Sequence, residues 1–326
     1  MAPIKASIYY LLLTLYTTFY LCISICLYFA ESCFQQALGI DDGQMAAIGY
    51  YRRIKYFYSQ AYFMIWKLLG VRIYVRGDIR SDPMIWISNH RSKLDGLVVQ
   101  TILCGNDGLD VVSILKNSIK YVPIYGSFSK YCSLIFIERK WSSAETILRL
   151  GVLESSRMGR SILIFPEGTT ISPDSKARSD FYASERGMVP FKNLLLPRTR
   201  GFSTVREVGE YGTIGNITIG YDQPSSHTIS KHSYLDLFST FPTKIYFRVD
   251  YVADSLFDMV SAFRAKDKYL ERIVEEKYKP YVMPNTCWFL NLVIFPLFLV
   301  GLCVCSVFRW LVFLMILGSA IRTSVC

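Results

Sequence analysis

The sequence predicts an α/β fold: a mixed, largely parallel sheet of about seven strands flanked by helices, with N- and C-terminal membrane helices. Three observations carry that expectation. Short apolar runs alternate with helical patterns from Met84 to about Val252. Several of those runs stop abruptly at Pro, Gly or polar residues, as buried strands do when they reach the edge of a sheet. Uncharged apolar stretches lie near both termini, at Ile8–Ala30 and Cys287–Phe308.

The strands expected are Met84–Ser88, Asp110–Leu115, Leu134–Ile137, Ser161–Phe165, Asn193–Leu196, Ile214–Tyr221 and Lys244–Val252. The helices expected between them are Leu94–Cys104, Ser142–Met158, Asp180–Gly187 and Ser255–Tyr278. Ser142 followed by Glu145 has the spacing of a capping box. Ahead of the sheet, Tyr50–Val75 interleaves Arg52, Arg53, Lys55 and Lys67 with Tyr and Phe side chains, Trp66 and Ile65. That mixture suits either an interfacial helix half-sunk among headgroups or an amphipathic helix lying over the sheet. Ile8–Ala30 is long enough, at ~1.5 Å per residue, to cross a ~30 Å hydrocarbon layer. Cys287–Phe308 is too, whereas Trp310–Ile321 is short for a straight span, so the end reads as a hairpin or as one span with a partly inserted tail. Three segments follow: an anchor and linker at 1–48, a domain at 49–280 that opens with the basic-aromatic helix, and membrane segments at 281–326.

Composition narrows the function. Of 326 residues, 52% are apolar and the formal charge is +10, which suits a protein lying against anionic lipid. No basic helix, finger or aromatic RNA-reading motif appears, so no nucleic-acid partner is expected. Nine cysteines without paired metal spacing and only three histidines leave no basis for a metal site. Arg272, Lys277 and Lys279 before the C-terminal stretch, against Arg322 after it, favour a domain facing the cytosol.

The chemistry concentrates at strand ends. Met84-Ile85-Trp86-Ile87 runs into Ser88-Asn89-His90, with Asp95 five residues after the histidine. On one ideal helix that spacing turns the chain about 500°, pointing the two side chains roughly 140° apart. They meet only if His90 sits on the loop and Asp95 in the first turn of the next helix. The carboxylate then accepts a hydrogen bond from one imidazole nitrogen and leaves the other as a general base. Gly126–Arg139 delivers Arg139 at a strand end, where a planar guanidinium suits a phosphate. Ser161–Thr169 breaks at Pro166 and offers Glu167, Gly168 and Thr169. Leu194–Phe202 breaks at Pro197. Lys116 closes the second strand.

These four blocks resemble the glycerolipid acyltransferase family that includes 1-acylglycerol-3-phosphate acyltransferase. His90 and Asp95 match its H-x4-D motif, Gly126–Arg139 its second block, Phe165–Thr169 its F-P-E-G-T block and Pro197 its fourth. Ser175–Phe181, Pro197–Phe202 and Ile217-Thr218-Ile219 look like the lysocardiolipin and lysophosphatidylinositol acyltransferase branch. Gly96 departs from that branch, which usually has an aromatic residue after the Asp.

The resemblance implies acyl-CoA as co-substrate, no cofactor, and a lysophospholipid acceptor whose phosphate and glycerol meet Arg139, Glu167, Gly168 and Thr169, with Lys116 a further phosphate ligand. Glu167 itself is expected to bind a hydroxyl or to pair with Arg139 or Lys116. The resemblance also implies a multi-pass protein of the endoplasmic reticulum, working on phospholipid at the bilayer. Three alternatives remain at this level: an acceptor limited to lysophosphatidic acid, a Ser/His/Asp lipid hydrolase, and a lipid-binding scaffold with a dead fold. No G-x-S-x-G elbow is present for the hydrolase.

Overall fold

A computed structural model describes residues 43–106, 109–122, 132–138, 140–222, 242–282 and 295–304, with a few single positions outside those runs. Helix α1 (Gly43–Leu68) leads into strand β1 (Arg72–Arg76), β2 (Ile85–Ser88) and helix α2 (Asp95–Cys104). Then follow β3 (Val111–Lys116), β4 (Ile135–Ile137), α3 (Trp141–Arg157), β5 (Ser161–Ile164), α4 (Pro173–Glu185) and α5 (Thr199–Gly209). The long hairpin partners β6 (Thr213–Tyr221) and β7 (Lys244–Ala253) precede α6 (Met259–Glu271), the short β8 (Lys279–Pro280) and α7 (Phe295–Val304).

Among the described residues the sheet has eight strands in the order β4-β3-β5-β2-β6-β7-β1-β8. From β4 to β6 all neighbours run parallel; β7 turns antiparallel to β6, β1 lies parallel to β7, and β8 is antiparallel to β1. The parallel half therefore sends the C-terminal ends of five strands to one edge, where open α/β sheets hold their ligands. Its centre is apolar on both faces, as parallel strands must be: Ile85, Trp86 and Ile87 are fully buried, and so are Ile162, Leu163, Ile214 and Ile217. Trp86 and Gly215 face each other in register, and a Cβ on Gly215 would fall 2.2 Å from the indole ring. Only glycine lets β6 pass the tryptophan.

Several elements differ from the sequence reading, each for a physical reason. Asn193–Leu196 is not a strand, because side chains capture the backbone N–H groups that a ladder would use. Asp267 takes those of Lys192 and Asn193, Glu167 that of Leu195, and Ser179 that of Leu196. Two strands were not expected. β1 was hidden inside the basic-aromatic stretch, and β8 has only two residues. Helix α5 was masked by Pro197 and Gly201, yet Phe202 and Val205 turn one face of it into the core. Helix α4 begins at Pro173, behind a reciprocal cap between Ser172 and Ser175, well before the expected start at Asp180. Helix α6 is shorter than expected, ending at Glu271. The capping box at Ser142 does not form, since α3 already begins at Trp141 and Lys140 is its N-cap.

The basic-aromatic helix is mixed in character. Ile54, Tyr58, Tyr62, Ile65 and Trp66 are buried, and the helix packs against α2, while Arg52 and Lys67 face outward. Lys55 is buried and ion-paired to Asp110 at 2.6 Å, which suits the second of the two readings, a helix lying over the sheet, at this residue. Among the described residues, no helix is long and apolar enough to cross a membrane. The terminal apolar stretches lie largely outside those residues, although the rings of Phe19 and Phe298 meet at 5.0 Å.

Candidate active site

The site forms where β2, β5 and β6 end. β2 stops at Ser88, and the Asn89 side chain continues its ladder, donating to the Ile219 carbonyl at 3.0 Å and accepting the Ile219 N–H at 2.8 Å. That clasp fixes where His90 leaves the sheet. The chain then turns so that Asp95 opens α2, with its own N–H donated to Ser92 O. His90 Nδ1 and Asp95 Oδ2 lie 3.1 Å apart, the arrangement the five-residue spacing required. The Asp95 side chain is wholly buried, whereas 22% of the His90 side chain reaches solvent. Asp95 Oδ2 also accepts the Ser92 N–H at 2.7 Å, and Asp95 Oδ1 accepts the Tyr221 hydroxyl. The face of the His90 ring lies against Phe165, with centroids 4.5 Å apart.

The turn after β5 locks onto this loop. Glu167 Oε1 accepts the His90 N–H at 2.6 Å, and Oε2 accepts the Leu195 N–H at 2.9 Å. Among the described residues no Lys or Arg forms an ion pair with Glu167, and burial pushes its carboxyl up to about 8 against the pull of those two donors. Gly168, at φ +69°, makes the turn in a left-handed conformation that favours glycine. Arg198 donates its N–H to Pro166 O at 2.8 Å, and its exposed side chain lies along Gly168. Beneath, Lys266 of α6 reaches up between β2 and β6, donating to Ile87 O at 3.2 Å and Ile217 O at 2.5 Å. Burial pulls its ammonium group down to about 7, with Glu167 opposing. Arg91 is buried beside the dyad, and desolvation lowers it, with Asp95, Tyr221 and Glu167 pulling the other way.

His90, Asp95, Glu167, Gly168 and Pro197 thus come together, with Pro197 buried and Thr169 half-buried just beyond the turn. Glu167 meets backbone donors, and among the described residues Lys116 does not pair with it, while the pairing with Arg139 offered from sequence falls outside those residues. Lys116 is exposed at the end of β3, on the same sheet edge and in register with Ile137 of β4. Arg139 lies outside the described residues. Sequence reasoning missed Asn89, Tyr221 and Lys266. Tyr221 carried a usable signal: it continues the alternation Ile217, Ile219, Tyr221 along the strand beside β2.

Residues 71–206, which contain the dyad and the turn, match the family model described as Acyltransferase. That stretch is similar to the acyltransferase family, and the chain has named relatives as well. The chain is 33% identical to lysocardiolipin acyltransferase 1 of Mus musculus over 58% of this chain and 52% of that protein. It is 32% identical to 1-acyl-sn-glycerol-3-phosphate acyltransferase 3 of Arabidopsis thaliana, over 45% of this chain and 41% of that protein. It is 28% identical to the 2-acyl-1-lysophosphatidylinositol acyltransferase of Saccharomyces cerevisiae, over 41% and 44% respectively. The chain spans about half the length of the curated relatives it matches.

Proposed function

We propose that the protein is an acyl-CoA-dependent lysophospholipid O-acyltransferase, with lysophosphatidylinositol or lysocardiolipin the favoured acceptors and His90 the general base. The observation that carries this reading is the His90–Asp95 pair. A buried carboxylate engages Nδ1, and the ring remains partly open to solvent for a substrate at Nε2. His90 removes the proton from a glycerol hydroxyl of the acceptor as that oxygen attacks the thioester carbonyl of acyl-CoA. The C–S bond breaks, and the CoA thiolate leaves, taking the proton back from the imidazolium. A positioned base is worth about 10²–10⁴ in rate for so weak a nucleophile.

Serine chemistry has less support. Ser88 Oγ donates to Asn89 O and Ser92 Oγ accepts the Leu94 N–H; among the described residues no serine hydroxyl bonds to His90. Glu167 acts by holding the His90 loop to the Leu195 segment, and Gly168, Thr169, Lys116, Arg139 and Arg198 surround the acceptor's phosphate and glycerol. The apolar stretches Ile8–Ala30 and Cys287–Phe308 keep the enzyme at the endoplasmic reticulum membrane with this domain in the cytosol. Acyl chains then stay in lipid, since extracting one costs ~0.8 kcal/mol per CH₂.

The test is transfer from labelled oleoyl-CoA in membranes that contain the wild-type protein or His90→Ala, across a panel of lysophospholipids. Transfer that disappears in His90→Ala is expected, and the best acceptor identifies the branch. Equal transfer by both proteins rules the base out. Transfer to lysophosphatidic acid alone favours the phosphatidic-acid reading.

A further inference from the structure

Strand β6 grips the catalytic loop on both sides of His90. Before it, the Asn89 amide is bonded to both backbone groups of Ile219. After it, Asp95 receives a hydroxyl from Tyr221, two residues further along β6. The parallel register of β2 and β6, with Ser88 opposite Ile217, sets both contacts.

We infer that Tyr221 is a positioning residue, whose hydroxyl holds the Asp95 carboxylate so that one oxygen, Oδ2, is presented to His90. The inference rests on the reading of His90 as the base. A carboxylate's last torsion is broad and roughly two-fold, so an Asp with one oxygen unanchored can turn its plane away from the imidazole. Here Oδ2 carries the Ser92 N–H at 2.7 Å and the His90 ring at 3.1 Å, which leaves Oδ1 to be fixed from elsewhere. Tyr221 fixes it from a neighbouring strand, a rigid element, and not from the loop itself. The phenol serves only as a donor, because burial and the adjacent Asp95 push its ionisation well above the ordinary tyrosine value. The donor also withdraws charge from Asp95, and so governs how strongly Asp95 retains a proton on His90.

The other charged groups around the pair are Arg91 on the same loop, Glu167 from the turn after β5, and Lys266 and Asp267 from α6. All of them are retained in a Tyr221→Phe protein, so a change in that variant reports the hydroxyl.

The experiment measures acyl transfer by the full-length protein in membranes, as a function of pH, for wild type, Tyr221→Phe, Asp95→Asn, the double variant and His90→Ala. Tyr221→Phe is expected to lower kcat about tenfold or more while leaving KM for acyl-CoA and acceptor near wild type. The acid limb of its kcat/KM profile is expected to move to higher pH, because an Asp95 without its donor holds the imidazolium proton more tightly. In the Asp95→Asn background the same substitution should add little, since residues acting through one another are not additive. Should Tyr221→Phe fail to accumulate, a ring-fluorinated tyrosine at 221 keeps the shape, strengthens the donor and should move the acid limb the opposite way. Wild-type rate and pH profile in Tyr221→Phe, an unmoved limb with fluorotyrosine, or an equal loss in the Asp95→Asn background would each overturn the inference. Loss of transfer in His90→Ala beside any of those results leaves the base intact and removes only Tyr221's role. Full transfer by His90→Ala removes both.

Discussion

The two edges of the sheet bury carboxylates in opposite ways. At the N-terminal ends of β3 and β5, Asp110 lies between Lys55 at 2.6 Å and Arg160 at 2.9 Å, all three side chains almost fully buried. Those two cations hold Asp110 below the usual carboxylate range although burial works against them. At the C-terminal ends, Glu167 is just as deeply buried but is met by two backbone N–H groups, and its carboxyl rises to about 8. The first arrangement fastens α1 to the bottom of the sheet with matched charge. The second uses the Glu167 carboxyl to fix backbone, placing His90 and the Leu195 segment through two N–H donors, with no ion pair of its own among the described residues. Charge pairing builds the scaffold, and directed donors build the catalytic loops.

The largest way to break this contrast is Asp110→Ala. It strands two buried cations, and removing one partner of a buried ion pair typically costs ~3–5 kcal/mol. Denaturant unfolding of the purified protein, followed by tryptophan fluorescence, should show a loss of that order, with transfer per folded molecule little changed. A loss below ~1 kcal/mol would place Asp110 with ordinary surface ion pairs and dissolve the distinction.

A smaller effect is expected at Glu167. Glutamine offers one acceptor oxygen where two N–H groups need satisfying, so Glu167→Gln leaves a buried donor unmet at a cost of ~1–3 kcal/mol. It should also alter the pH dependence. The folded protein keeps the Glu167 proton up to about 8, whereas the unfolded chain sheds it near the ordinary glutamate value of 4.5. The folded state therefore binds more protons across that window, and this group's contribution to stability falls as pH rises through it. Lys266 contributes a slope of opposite sign above about 7, and because it interacts electrostatically with Glu167 the comparison is read below that pH. Unfolding of wild type and Glu167→Gln from pH 5 to pH 7 should thus converge with rising pH. A constant gap would show that Glu167 is already ionised in the native state.

Much of the C-terminal edge was legible in the sequence, because apolar runs that stop at Asn-His, Pro-Glu-Gly and Pro-Arg mark where the chain leaves the core. The H-x4-D spacing could be placed on a loop and a helix start by rotation alone. What escaped depends on pairing across the chain. Tyr221 stands 126 residues from Asp95, and Lys266 reaches Ile87 across 179. No local pattern encodes such contacts. The misassigned strand at Asn193–Leu196 teaches the same lesson from the other side: its apolar run is real, but Asp267, Glu167 and Ser179 had already claimed its donors. Lys55 left both readings of its helix open, because sequence shows a basic residue among aromatics and cannot show Asp110 beneath it.

The least costly perturbation tests the contrast from the cation side. Lys55 and Arg160 are consumed by Asp110, whereas Arg198 lies exposed along Gly168, and among the described residues no carboxylate pairs with it. Its backbone N–H, bonded to Pro166 O, holds the residue to the turn after β5, and a guanidinium without a carboxylate partner among the described residues would suit a substrate phosphate. Arg198→Gln should leave unfolding unchanged and raise KM for a phosphate-bearing acceptor roughly tenfold, the loss of about one charge-assisted hydrogen bond. KM for acyl-CoA, which carries phosphates of its own, is the internal comparison. A rise confined to acyl-CoA would move Arg198 to the donor side of the site. No rise in either would make it a solvated surface arginine.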